Sequence, residues 1–187
     1  MENKEVDKLR NQLSVESKNG IDFTIAATVI WAVISLIWTF KSESYDKSVY
    51  TFIVGGPLLP LAFMLSKILK TNWKVADNPL QPLGLWLNFA QLLYFPFLIF
   101  ILIKQPDYFL MTYAIITGAH FFPYSWFYKT KWYAVFSAII SVGSLILAIN
   151  LKVENQFYIG IWASACLFLL TLLLVTDFYK KKKIYGS

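Results

Sequence analysis

The chain has 187 residues, of which 57% are hydrophobic, 18% aromatic and only 15% charged, with 17 Lys and Arg against 11 Asp and Glu. Soluble domains average about 25% charged and about 45–50% apolar residues, so a soluble fold would have too little polar surface, and the composition reads as that of a membrane protein. One cysteine, Cys166, excludes an intramolecular disulfide framework. One histidine, His120, without a carboxylate in its apolar run, argues against a protein-only metal centre, and no cofactor is expected.

Residues 1–20 are polar and mixed in charge, and the apolar run behind them lacks a small-residue cleavage pattern. No removable signal peptide is therefore expected, and the first span should remain as an anchor. Within this arm Val6, Leu9 and Leu13 recur at helical spacing, the pattern either of a short helix on the membrane surface or of a solvated arm.

Runs of about 20 apolar residues are long enough to cross a bilayer. Six occur, at 21–40, 49–68, 83–103, 108–127, 132–149 and 157–178. In hydrocarbon each must satisfy its own backbone as a helix, since continuous runs lack the alternation of a barrel strand. The expected fold is all-α: a six-helix transmembrane bundle over 21–178, followed by a basic tail at 179–187.

Basic residues collect on the cytoplasmic side of membrane proteins. With the N-terminus inside, thirteen of the 17 fall on inner segments, from Lys4, Lys8, Arg10 and Lys18 to the tail lysines 180–183, and Lys41, Lys47, Lys104 and Lys152 fall outside. Both termini are expected to be cytoplasmic. The tail lysines fit a stop-transfer signal or a site for anionic lipid.

An offset of 63 residues lays GGPLLP at 55–60 on GAHFFP at 118–123, and pairs Lys41 with Lys104, Tyr45 with Tyr108, Tyr50 with Tyr113 and Ile53 with Ile116. This suggests a duplicated helical hairpin, spans 1 and 2 repeated as 3 and 4, against the alternative of chance similarity between apolar segments. Proline removes a helical hydrogen bond and crowds the preceding turn. Pro57, Pro60, Pro96 and Pro123 are accordingly expected to kink their spans, and interrupted spans line binding sites in many transporters.

Nearly every charge lies at a span end. Asp22 follows the Asn19-Gly20 break, where a carboxylate suits the positive end of a helix, and reads as an interfacial cap; Asp177 sits beside the tail lysines. The bilayer core is left with neutral polar groups. Tyr113, Thr117, His120 and Tyr124 follow spacings of four, three and four on one helical face. His120 falls about 10 Å from the inner end of its span, and Asn88 and Gln91 about 8 and about 12 Å deep in the third, at 1.5 Å per residue. Thr28 in span 1 and the 55–60 break lie at similar depth. Such groups should turn inward, either as hydrogen-bonded links between helices or as a ligand site. On span 5, Ser137, Ser141, Ser144 and Ala148 share a face suited to close helix packing.

No zinc-protease, nucleophile-elbow, paired-aspartate or Walker motif occurs. The one hydroxyl nucleophile near His120, Ser125, falls on a different face, and the basic residues are spread by topology rather than gathered for nucleic acid. The segments LSVESKNGID at 13–22, NPLQPLGLWLNFAQLLYFPF at 78–97 and ITGAHFFPYSWFYKTKWY at 116–133 resemble an uncharacterised family of small multi-pass bacterial membrane proteins, a domain of unknown function. The resemblance implies a bacterial plasma membrane and no catalytic residue.

The expectation is a protein that binds, and moves, a small neutral or amphipathic molecule, a lipid included, in a cytoplasm-facing pocket built from His120, Gln91, Asn88, Thr117, Tyr124 and Thr28. The alternatives are a non-catalytic interaction or regulatory subunit and, third, a lipid-modifying intramembrane enzyme. Besides such a ligand, membrane lipids are the expected partners and nucleic acid is not.

Overall fold

The computed structural model describes residues 2–185; Met1, Gly186 and Ser187, which the expected arm and tail include, lie outside them. The described residues form helices and no strand. In chain order these are α1 (Glu2–Glu16), α2 (Ile21–Ile37), α3 (Ser44–Gly55), α4 (Leu58–Leu69), α5 (Gln81–Leu92), α6 (Phe95–Lys104), α7 (Phe109–Phe127), α8 (Trp132–Asn150) and α9 (Phe157–Tyr185), with short 3-10 turns ahead of α2, α7 and α9.

Five segments are long and apolar enough to cross a membrane: Lys18–Ile37, Ser44–Leu69, Gln81–Lys104, Trp132–Asn150 and Val153–Tyr185. The fourth expected span forms as α7, which matches them in length but is less apolar because it carries Thr112, Tyr113, Thr117, His120 and Tyr124. Its helicity therefore leans on packing against neighbours, which lets a polar face exist at membrane depth.

Two spans are interrupted midway. Gly56 and Pro57 separate α3 from α4, and Pro60 falls in the first turn of α4, where a missing N–H costs nothing. Leu93 and Tyr94 separate α5 from α6, with Pro96 again in a first turn. Pro123, by contrast, lies inside the unbroken α7, whose long contact with α8 carries the helix through the lost hydrogen bond. The 63-residue correspondence is thus not matched by helix continuity. It aligns unbroken α2 with broken α5–α6, and broken α3–α4 with unbroken α7. The aligned glycines also meet different neighbours, Gly55 the Tyr113 hydroxyl and Gly118 the Ser141 and Ile140 positions of α8.

The core is the quartet α2, α7, α8 and α9, packed chiefly as α7 on α8 and α2 on α9. Ile34, Leu110, Ile140, Ile159, Leu167 and Leu170 are wholly buried in it. Close approach is possible because Gly160 faces the Ser35 backbone; a Cβ added there would lie 2.8 Å from the Ser35 Cα. Hydroxyls link these helices: Ser35 Oγ donates to the Phe157 carbonyl at 3.0 Å, Thr171 Oγ1 to Thr24 Oγ1 at 2.8 Å, and Ser141 Oγ to the Ile115 carbonyl at 3.2 Å. Such links are worth on average about 0.6 kcal/mol each. Ser137 and Ser144 are buried on α8 as well.

Helices α3 to α6 are held more lightly. α5 buries no residue and α4 only Ala62 and Ser66.

α1 docks beneath the bundle. A solvated arm would leave Leu13 in water, yet it is 1% exposed. Arg10 lies over the Trp126 ring at 4.7 Å, Asp7 pairs with Lys129 at 2.8 Å, and Asn78 Nδ2 donates to the Leu9 carbonyl at 2.9 Å. At the other end of the chain α9 runs on to Tyr185. Lys181 turns inward there, pairing with Asp177 at 2.7 Å and donating to Ser14 Oγ and the Tyr128 and Lys129 carbonyls, so it is withdrawn from the row of tail lysines.

Candidate functional site

A cavity of about 380 Å³ lies between α2, α4, α5 and α7, in the size range of small-molecule sites. It runs from the loop at Trp73 and Lys74 to mid-span at Gly55 and Tyr113. Gly55 admits the Tyr113 ring, since a Cβ there would lie 2.9 Å from its hydroxyl.

Five of the six expected site residues, Asn88, Gln91, Thr117, His120 and Tyr124, line this cavity. Thr28 does not. Its hydroxyl donates to the Thr24 carbonyl of its own helix, and its carbonyl accepts from Ser164 Oγ of α9, which places it at the α2–α9 contact. Equal depth along a helix axis does not imply an equal azimuth, and Ala27, Ile30 and Trp31 are the α2 residues at this level that reach the cavity.

None of these five has a side-chain hydrogen bond to another helix among the described residues. Among the described residues, Gln91, Thr117 and His120 make no side-chain hydrogen bond to protein, and Asn88 Nδ2 donates only to the Gly84 carbonyl one turn back, at 3.0 Å. His120 forms no direct hydrogen bond with Gln91 or Asn88, although all three line the one cavity. His120 instead sits edge-on to the Tyr124 ring, 5.4 Å between centres. The Tyr124 hydroxyl is fully enclosed by protein and has no partner.

At the basic end the structure adds a residue that one-dimensional reading places at the interface. Asp22, in the first turn of α2, is 1% exposed and lines the cavity. Its carboxylate accepts from the Phe23 N–H at 3.1 Å, from Thr71 Oγ1 at 2.7 Å and from the Trp73 indole N–H. It thereby anchors the α4–α5 loop to α2, a pairing of positions about fifty residues apart that no spacing rule signals. Trp73 then stacks on Phe23 at 4.8 Å. No ion pair among the described residues includes Asp22; those formed are Asp7 with Arg10 and Lys129, and Asp177 with Lys181.

Beside Asp22 stands a wall of stacked rings: Phe121 on Tyr133 at 5.8 Å, Tyr133 on Tyr128 at 5.9 Å and Tyr128 on Tyr124 at 6.0 Å. Gly20 makes room for it. With φ at +70° it holds the left-handed turn ahead of α2, and a Cβ would press on the Tyr128 and Tyr133 hydroxyls at 3.2 and 3.3 Å. The Tyr133 hydroxyl donates to the Asn19 carbonyl at 2.7 Å. Burial, and after it the neighbouring Tyr124 and Asp22, pushes the Tyr128 hydroxyl well above its ordinary titration range, which keeps it a neutral donor.

The cavity is floored by Leu13 and Ser17 at the end of α1 and opens sideways. α4 packs on α2, α5 on α7 and α3 on α6, while α4 and α5 make no contact of that extent. Leu59 and Leu85, one on each rim, line the cavity and are each 55% exposed on the apolar flank.

No curated protein and no solved structure matches the chain. A family model does, over residues 6–177, and its description is a family of unknown function, DUF7010. That match spans most of the sequence: the chain belongs to this family.

Proposed function

We propose that the protein is an integral protein of the bacterial plasma membrane, both termini cytoplasmic, that binds and moves a small amphipathic molecule through the cavity of Tyr124, His120, Thr117, Asn88 and Gln91. The observation that carries this reading is a cavity wall on which Gln91, Thr117 and His120 make no side-chain hydrogen bond to protein among the described residues. Helix-linking residues are expected to bond to a neighbouring helix, as Ser35 and Ser141 do to the Phe157 and Ile115 carbonyls. An unmet polar group withdrawn from water costs about 1–3 kcal/mol, a cost that a ligand bonding to the cavity-lining side chains offsets. The sideways opening at Leu59 and Leu85 supports uptake from the bilayer, and the floor at Leu13 and Ser17 supports a gate toward the cytoplasm.

Native mass spectrometry of the protein purified in mild detergent tests the reading. A bound amphiphile should be detected, and Gln91→Ala and His120→Ala should lose it while thermal stability is kept. A parallel loss of stability in both variants, with no bound molecule in the parent, would assign the polar layer to packing. Reporter fusions at Ser187 and within 41–47 should report inside and outside; an outside signal at Ser187 would reject the topology.

A further inference from the structure

We infer that the ligand of this cavity is a lipophilic organic cation, an apolar or aromatic body bearing one positive charge, held with its charge toward Asp22; the inference rests on the binding function proposed above and specifies its substrate class. Three features of the site converge on it.

The first is the carboxylate. A buried charge is costly unless paired or fully hydrogen-bonded. Asp22 accepts three hydrogen bonds from neutral donors, yet no Lys, Arg or His among the described residues pairs with it. The other charged residue on the cavity wall, Lys74, is exposed on the loop. Its field is screened by water and salt, whereas that of Asp22, at 1% exposure, is not. The net field inside therefore favours a cation.

The second feature is the aromatic wall. Tyr124, Tyr128, Tyr133 and Phe121 stack side by side next to Asp22, with Trp73 and Phe23 on its other flank. Ring faces carry negative partial charge and attract desolvated cations, an interaction worth about 2 kcal/mol or more in a dry site. The same rings bury the apolar body of such a molecule. The third is the route: the opening between α4 and α5 faces the bilayer flank, where lipophilic cations partition, and the exposed Leu59 and Leu85 present no charge to their passage.

The test is equilibrium dialysis of the purified full-length protein in a nonionic detergent, with tetraphenylphosphonium as the cationic probe and triphenylphosphine oxide as an uncharged aromatic comparator. The expected result is binding of both, the cation at least ten-fold tighter, with Asp22→Asn bringing the cation down to the level of the comparator. Equal affinities in the parent protein would overturn the inference and leave the proposed binding function standing. Binding of neither probe would overturn both. If Asp22→Asn folds and keeps the preference, the inference also falls. Should that variant not fold, the preference of the parent protein decides the matter: directed by a carboxylate at 1% exposure it must persist in added salt, and a preference that salt abolishes would assign it to exposed charge and overturn the inference.

Discussion

Along the α2–α9 contact Gly160 brings one backbone against another, and a Cβ would meet Ser35 atoms at 2.8 Å; along α4 and α5 the two helices part and leave Leu59 and Leu85 exposed at the rims of a cavity. The first region spends its polar side chains on links between helices, and the second points them into a space where they bond to no other helix. Tight packing supplies a fixed wall, α2 and α7, on which the site's geometry depends. Loose packing supplies the part that can move, since weakly held elements open at the lowest free energy.

The sharpest way to break this comparison is at the glycines. Gly160→Leu should cost at least about 1–3 kcal/mol by overpacking, the largest drop in thermal stability of any change considered, read by scanning fluorimetry in detergent. Gly56→Ala, where a Cβ meets only backbone oxygens at 3.4 Å and 3.9 Å, should leave the melting temperature almost where it was. Comparable losses at both positions would mean that the two regions are equally rigid.

Tyr124→Phe should act in the opposite direction and by less. Deleting a hydroxyl that has no partner should leave stability unchanged or raise it by about 1 kcal/mol and, since that hydroxyl is closed off from the cavity, should leave ligand binding as it was. A clear loss of stability would show that the hydroxyl is bonded after all. Smaller again in its effect on stability is a tether across the opening: Leu59→Cys with Leu85→Cys, joined by a flexible bismaleimide, should leave the melting temperature within a few degrees and slow probe uptake severalfold. Unchanged uptake would move the route elsewhere.

The smallest effect belongs to the floor. The hydrogen bond from Lys129, with the charges of Lys129 and Arg10, holds the Asp7 carboxyl below its ordinary value of 3.8. A carboxylate lowered in the folded state contributes stability at neutral pH and loses it as pH falls through its folded value. Docking of α1 should therefore be constant from pH 7 to pH 5 and loosen only below about pH 4, as followed by hydrogen exchange of 2–16. Loosening that begins near pH 6 would point to another group.

Composition and run length alone determined the helical class and placed all six apolar segments, because hydrocarbon leaves a backbone no choice but to bond within its own helix. The periodicity of 113, 117, 120 and 124 likewise put one polar face on α7, and depth counting put Asn88 and Gln91 level with it. Azimuth and mutual distance were decided only by the tertiary structure. Thr28 turned to α9 because the α2–α9 contact claims that side of the helix. Asn88 and Gln91 make no hydrogen bond with His120 although all three line one cavity, because packing sets which way each side chain turns. Asp22 became a buried acceptor because a loop fifty residues away folds back onto it with Thr71 and Trp73. Local hydrophobicity is a property of neighbouring residues and survives in one dimension; the partner of a polar group depends on how distant helices rotate and lean, which only their packing sets.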